Sequence, residues 1–264
     1  MQCQTLIIDG PYLAHRSYGA PYKLTTTTGL DATMIHSFMR TLKSLYKQFK
    51  PKEIIIAWES HGTKSWRREM LPTYKPSSGK VTQEYIDELR DLQVLLHLLN
   101  IKQYYSPNNE ADDVIGRLTT NKKENILVYT VDKDIMQVVN QFVHVWTGKE
   151  FVMEETVVAK FGVKPKQIPE YLAIVGDTSD NIKGLHMVGP KKALKFMNGE
   201  ISINVEQLKK IQFNVRLTSL NCNCKLESIP NKNFKTDETL SSIMDKYELR
   251  KMKENIKEYK LLGE

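Results

Sequence analysis

Cysteine is scarce in this chain: three among 264 residues, Cys3, Cys222 and Cys224. An odd count without paired spacing excludes a disulfide framework, and with it the small secreted scaffolds that depend on one. The pair in "NCNC" has no second cysteine or histidine pair to complete a zinc site. Reduced thiols in a cytoplasmic protein are therefore expected. Long apolar runs are missing too. No stretch reaches the roughly 18 residues of a membrane span, so no membrane partner is expected. The opening "MQCQTLIIDG" has too short an apolar run, and no basic leader, for a secretory signal. Internal repeats, low-complexity tracts and obvious linkers are absent as well. With 41% hydrophobic and 26% charged residues, the composition is that of an ordinary folded chain, which excludes disorder as the default.

What the chain does have is positive charge, a net +7, which fits a polyanionic partner without demanding one. Its periodicity alternates. "TLIID" and "EIIIAWE" read as buried strands, as do "NILVYTVD", "FVHVW" and, more weakly, "IKQYY". Between them, apolar residues recur at helical spacing from Asp31 to Phe49 and from Ile86 to Leu99, and "EADDVIGRL" reads as a short helix. Strands that are continuous apolar runs, alternating with helices, predict a mainly parallel α/β sheet. From about Glu154 helices dominate ("ETVVAKFG", "IPEYLAIVG", "PKKALKFM"). "NVRLTSLNCNCKLESIP" looks irregular, and "LSSIMDKYELRKMKENIKEYKLL" looks like one or two charged helices.

Three of the strands run out into an acid: Asp9, Glu59 and Asp132. In open parallel sheets the functional crevice lies beyond the carboxyl ends of the strands, so these side chains converge although they are far apart in sequence. "EADD" adds Glu110, Asp112 and Asp113, "DKD" adds Asp134, and "GDTSD" adds Asp177 and Asp180. A single acid at a strand end or helix start is often only a cap. Nine directed at one crevice could not all stay ionised without cations. All-oxygen ligation without His or Cys suits Mg²⁺, with Mn²⁺ able to substitute, and two such ions suit phosphodiester cleavage. In "GDTSDNIKGLHMVGPKKALK" the two aspartates are followed at once by glycines and lysines, the composition of a phosphate grip.

"IIDGPYLAHRSYGA", "WESHGTKSWRREMLPTYK", "EADD", "TVDKDIMQVV" and "GDTSDNIKG…VGPKKALK", in that order, resemble the 5′-nuclease family. That family comprises flap endonucleases, phage 5′-3′ exonucleases and the 5′-nuclease domain of bacterial DNA polymerase I. The resemblance runs from about Thr5 to Met197. It implies a PIN-like α/β core over residues 1–153, with helices flanking a mainly parallel central sheet and a helical arch at about 60–84. A helical DNA-binding subdomain over 154–264 would carry a helix–turn–helix that grips duplex. It implies an inner metal set of Asp9, Glu59, Glu110, Asp112 and Asp132, with Asp134, Asp177 and Asp180 around a second ion. Asp113 shares the motif. Arg67, Tyr74 and Lys75 would act at the scissile nucleotide. Arg16, Trp66, Gly184, Gly189, Lys191, Lys192 and Lys195 would contact DNA. Glu59 stands where the family usually has aspartate. Met187 stands where the clamp usually has glycine, which weakens the expectation of K⁺ at that turn.

The function implied is a monomeric, metal-dependent, structure-selective 5′-nuclease, a 5′-3′ exonuclease and flap endonuclease. It would hydrolyse DNA at 5′ ends, flaps or single-strand/duplex junctions in primer removal or flap processing, with replication proteins as possible partners. The alternatives are a non-catalytic DNA-junction-binding protein and a ribonuclease acting on RNA or RNA–DNA hybrids.

Overall fold

The computed structural model describes residues 3–60, 64–76, 81–229 and 239–263. A central sheet collects seven strands: β1 (Thr5–Asp9), β2 (Glu53–Ala57), β3 (Lys102–Tyr105), β4 (Ile126–Tyr129), β5 (Val143–Trp146), β6 (Phe151–Val152) and, near the end of the chain, Glu227–Ser228. β1 lies in the middle, paired in parallel with β2 on one side and β4 on the other. β2–β3 and β4–β5 are also parallel, while β6 and Glu227–Ser228 close the two edges antiparallel.

The continuous apolar runs are explained by a sheet covered on both faces. Leu6 and Ile8 face one hydrophobic cluster, and Ile7 between them faces the other. Ile54 and Ile56 alternate with Ile55, and Leu127 with Val128, in the same way. On the first face lie α1 (Gly10–Tyr18), α2 (Thr33–Phe49) and, beyond α3 (Trp66–Met70), α4 (Gln83–Leu98). On the second lie α5 (Ala111–Thr119), α6 (Glu154–Phe161) and α7 (Ile168–Val175). A two-stranded hairpin follows, β7 (Gly176–Asp177) with β8 (Ile182–Lys183), then α8 (Pro190–Met197) and α9 (Val205–Thr218). Glu227–Ser228 is therefore β9. The chain ends in α10 (Leu240–Lys246), α11 (Arg250–Glu254) and α12 (Ile256–Lys260).

Local chemistry sets these boundaries. Asp9 caps α1, accepting from the Tyr12 N–H at 3.0 Å, and a proline opens that helix. Thr82 caps α4 in the same manner, and Gly162 ends α6 in a left-handed turn.

Two expectations are corrected. "NVRLT", read as irregular, is the last part of α9, and "ES" farther on is an edge strand. The final segment forms three short helices, and they return to the first face of the core: Ile243, Met244, Tyr247 and Met252 share a cluster with Phe38 and Leu95. The helix–turn–helix expected to grip duplex is formed by α7 and α8, with the β7–β8 hairpin and a turn between them. Gly184 permits the close fold-back there, since a Cβ would lie 2.3 Å from the Val175 backbone. Of the arch expected over 60–84, residues 61–63 and 77–80 lie outside the described residues.

Candidate metal centre

Strand order reverses between β1 and β4, because the chain passes from β3 at one side of β1 to β4 at the other. Such a switch leaves a crevice at the strands' carboxyl ends. Asp9 ends β1 at that point, 5% exposed. Thr130, just past β4, donates to Asp9 Oδ2 at 2.7 Å and pins the carboxylate across the crevice. Asp132 follows, accepting from the Asp134 N–H at 2.8 Å. Burial pushes Asp9 up to about 6, and the nearby Asp132 charge adds to this against the Thr130 and Tyr12 hydrogen bonds.

α5 brings the next acids. Glu110 stands at its N-terminal cap and accepts from Ser65 Oγ (2.8 Å), Tyr74 OH (3.2 Å) and Lys75 Nζ (2.6 Å). Asp112 faces the same crevice: burial, then Asp132, Asp9 and Glu110, hold it well above the usual carboxylate range despite Lys75 at 4.0 Å. Lys75 Nζ is also 3.9 Å from Asp180. Its backbone is left-handed, φ +41°, an uncommon state for a lysine that directs the ammonium toward these acids. Burial opposes its charge, but Asp112, Glu110 and Asp180 outweigh this and raise its pKa.

The hairpin completes the centre. Oxygens of Asp134, Asp177 and Asp180 lie within 4.8 Å of one another. Asp177 Oδ1 accepts from Lys133 Nζ (2.7 Å), Ser179 N (3.0 Å) and Ser179 Oγ (2.5 Å), which together outweigh burial and lower its pKa. Its other oxygen is buried without a donor, and so is Asp134 Oδ1. Burial and the charges of Asp132, Asp180 and Asp177 hold Asp134 well above its ordinary range. Buried polar atoms are nearly always bonded, so two orphaned carboxylate oxygens within one acidic cluster are consistent with metal binding. The donor set, carboxylates alone, fits a hard divalent ion.

Two acids stand apart. Glu59 is exposed and lines a separate cavity with His15 and Tyr85. Asp113, 0% exposed, turns away from the crevice and takes Arg67 bidentately at 2.7 and 2.8 Å. Arg67 is itself buried; its remaining bonds go to the carbonyls of Leu217 (2.8 Å) and Ser219 (2.9 Å), which leaves no edge for phosphate. Tyr74 is 2% exposed, donating to Asp180 at 2.8 Å, so its ring has no open face for a base. Trp66 is half-buried, stacked under the Arg67 guanidinium at 4.4 Å.

The other expected DNA contacts lie on the surface. Arg16 is exposed and bonds the hydroxyl of Tyr129. Lys191, Lys192 and Lys195 are exposed on α8, whose N-cap is Gly189, with open space around its Cα. The turn before it is kept although Met187 replaces glycine: Met187 adopts φ +54° and stands 81% exposed. Sequence reading missed Thr130, Ser65 and Lys133. Thr130 was hidden at the end of an apolar run, and Lys133, between two aspartates, carried a signal only in hindsight of the fold.

A family model described as the 5′-3′ exonuclease N-terminal resolvase-like domain matches residues 4–162, and one described as the 5′-3′ exonuclease C-terminal SAM fold matches 163–257. The chain belongs to the 5′-3′ exonuclease family. It is 32% identical over 213 residues to a 5′-3′ exonuclease of Aquifex aeolicus, covering 78% of this chain and 73% of that protein. It is 31% identical over 224 residues to DNA polymerase I of Lactococcus lactis subsp. lactis, covering 77% of this chain but 25% of that longer protein. In fold it is similar to the T5 D15 protein co-crystallised with metal ions, with a TM-score of 0.67 at 18% identity over 97% of this chain and 99% of that one. Flap endonuclease-1 from Methanococcus jannaschii has the same fold, with a TM-score of 0.64 at 12% identity over 99% and 93%.

Proposed function

We propose that this nuclease uses two divalent ions, Mg²⁺ with Mn²⁺ as substitute, to hydrolyse DNA near a 5′ end or a single-strand/duplex junction. The observation that carries the reading is the pair of orphaned buried oxygens on Asp134 and Asp177 beside Asp180. Those three would hold one ion. Asp9, Glu110, Asp112 and Asp132, gathered at the β1/β4 switch, would hold the other. Such ions supply activation of water and stabilisation of the leaving oxygen.

The chain's own side chains do the rest. Lys75 places a cation at the rim of the acids, suited to neutralise the scissile phosphate. Tyr74 OH ties Glu110 to Asp180, so the two ligand groups keep a fixed relation. Lys133 and Ser179 occupy one oxygen of Asp177, leaving the other unpartnered, where it would serve as a ligand. Outside the centre, the α8 N-terminus with Lys191, Lys192 and Lys195 offers donors and charge to a duplex backbone. Contacts of that kind carry no base identity, so selection would rest on shape and ends. The complex of the T5 D15 flap endonuclease with DNA and metal ions, whose fold this chain shares, supports the substrate class.

The test is cleavage of a 5′-flap DNA and a blunt duplex, each labelled at both ends, in Mg²⁺, Mn²⁺ or chelator. Cleavage at the flap junction that needs the ion and disappears in Asp132→Ala is expected. Tight binding without turnover in either ion would instead indicate a junction-binding protein.

A further inference from the structure

A cavity of about 490 Å³ opens beside the acidic centre, between α1, the residues that follow β2, and α4. It is within the range that holds small organic ligands. It shares its neighbourhood with the centre through the chain itself: α1 begins at Asp9, and Glu59 follows the strand paired with β1. Its walls are flat and apolar. Tyr85 contributes a ring stacked on His15 at 5.0 Å between centroids, Trp58 closes the inner end, and Ile86 lies at the mouth, 48% exposed.

Its polar groups are few and unspent. Glu59 is exposed at the lining, whereas Gln93, 6% exposed, keeps its side-chain amide nitrogen out of reach of the cavity. Gln103 accepts from Trp58 Nε1 at 2.9 Å and donates to the Gln93 backbone carbonyl at 2.9 Å. Glu59 and Arg90 complete the lining.

We infer that this cavity binds one extrahelical nucleobase of the single-stranded 5′ arm, and that Glu59 serves there as a base-recognition residue. The chemistry matches on each side. A base offers a flat ring to Tyr85 and His15 and an amino or imino donor to the exposed Glu59 carboxylate. Arg90 meets the adjoining phosphodiester. The inference rests on the 5′-nuclease reading and adds to it a point of purchase on the strand beside the centre.

The test needs no change to the protein core. A series of 5′-flap DNAs, each with one abasic tetrahydrofuran residue walked along the arm, is titrated with the full chain in Ca²⁺ by fluorescence anisotropy. One arm position is expected to weaken binding roughly tenfold when abasic, the loss of one stacked base, with its neighbours near unity. In Ile86→Ala or Glu59→Gln proteins of unchanged Tm, that penalty shrinks to under threefold. A flat profile along the arm, or a penalty unchanged in both variants, overturns the inference. If the intact flap is cleaved in Mg²⁺ while the profile is flat, the base site alone is lost. If the flap is neither cleaved nor bound better than blunt duplex, the nuclease reading falls and the base site with it.

Discussion

Arg67 tests the geometry most sharply, because its motif position suggested action on the substrate and its surroundings give it another task. It is 3% exposed, Asp113 is 0% exposed, and two bonds of 2.7 and 2.8 Å join them. Asp113 also accepts from the backbone of Asn221 (2.7 Å) and Glu110 (3.1 Å), so the pair ties α3, α5 and the end of α9 together. Arg67→Met leaves that carboxylate buried and uncompensated, at a cost of about 3–5 kcal/mol. For a chain of this size the midpoint of thermal unfolding should fall by roughly 6–20 °C. Arg67→Met with Asp113→Leu removes both charges and should recover at least half of the loss. Calorimetry or urea titration of the four proteins in the cycle reads the coupling directly. A single variant that melts within a degree or two of wild type but no longer cleaves DNA would refute the structural role and return Arg67 to the substrate.

Other outcomes follow from the same contacts. Saturating Mg²⁺, at about a hundred times its Kd, should stabilise the chain by about 2.7 kcal/mol for each ion bound; melts with Mg²⁺ and with chelator check this, and Asp177→Asn should remove one ion's share of the difference. Glu88 is 2% exposed; burial pushes it up to about 7, although it accepts from the Ile35 N–H at 3.0 Å. Between the ordinary 4.5 and 7 the folded state therefore holds more protons than the unfolded one, and stability falls as pH rises, by at most about 3 kcal/mol. Glu88→Gln should flatten that slope and be more stable than wild type at pH 8 in urea titrations; a steeper slope or a loss at pH 8 contradicts it. Met187→Gly should raise stability by less than about 1 kcal/mol, since relief of the left-handed backbone is partly offset by a freer unfolded chain, and a clear drop in Tm would count against the strain. Replacing Lys191 and Lys192 with alanine should lower the salt dependence of duplex binding by about 1.8 in log–log slope, if each neutralises one phosphate.

Much of this was legible in the sequence because the core is repetitive physics. A run such as "TLIID" alternates between two covered faces as a buried strand, and Asp9 at its end lies at the crevice. Seven of the nine acids expected at the centre gather there. Asp113 and Glu59 were not distinguishable by pattern: neighbouring helix positions 112 and 113 differ by about 100°, and only the position of Arg67 decides which one turns inward. Tyr74 was expected at the scissile nucleotide, and its burial, 2% exposed, could not be read from residue type. The C-terminal helices could not be assigned to a layer, since their apolar faces fit either side of the sheet until Tyr247 and Asp91 are seen 2.6 Å apart.

The claim that the acidic centre holds a pair of ions is reached most directly by electron paramagnetic resonance of Mn²⁺ titrated into the chain with an uncleavable 5′-flap DNA. Two bound ions with a resolved dipolar coupling are expected, reduced to one uncoupled ion in Asp177→Asn. A single uncoupled Mn²⁺ in the wild-type complex, unchanged by that substitution, would contradict it.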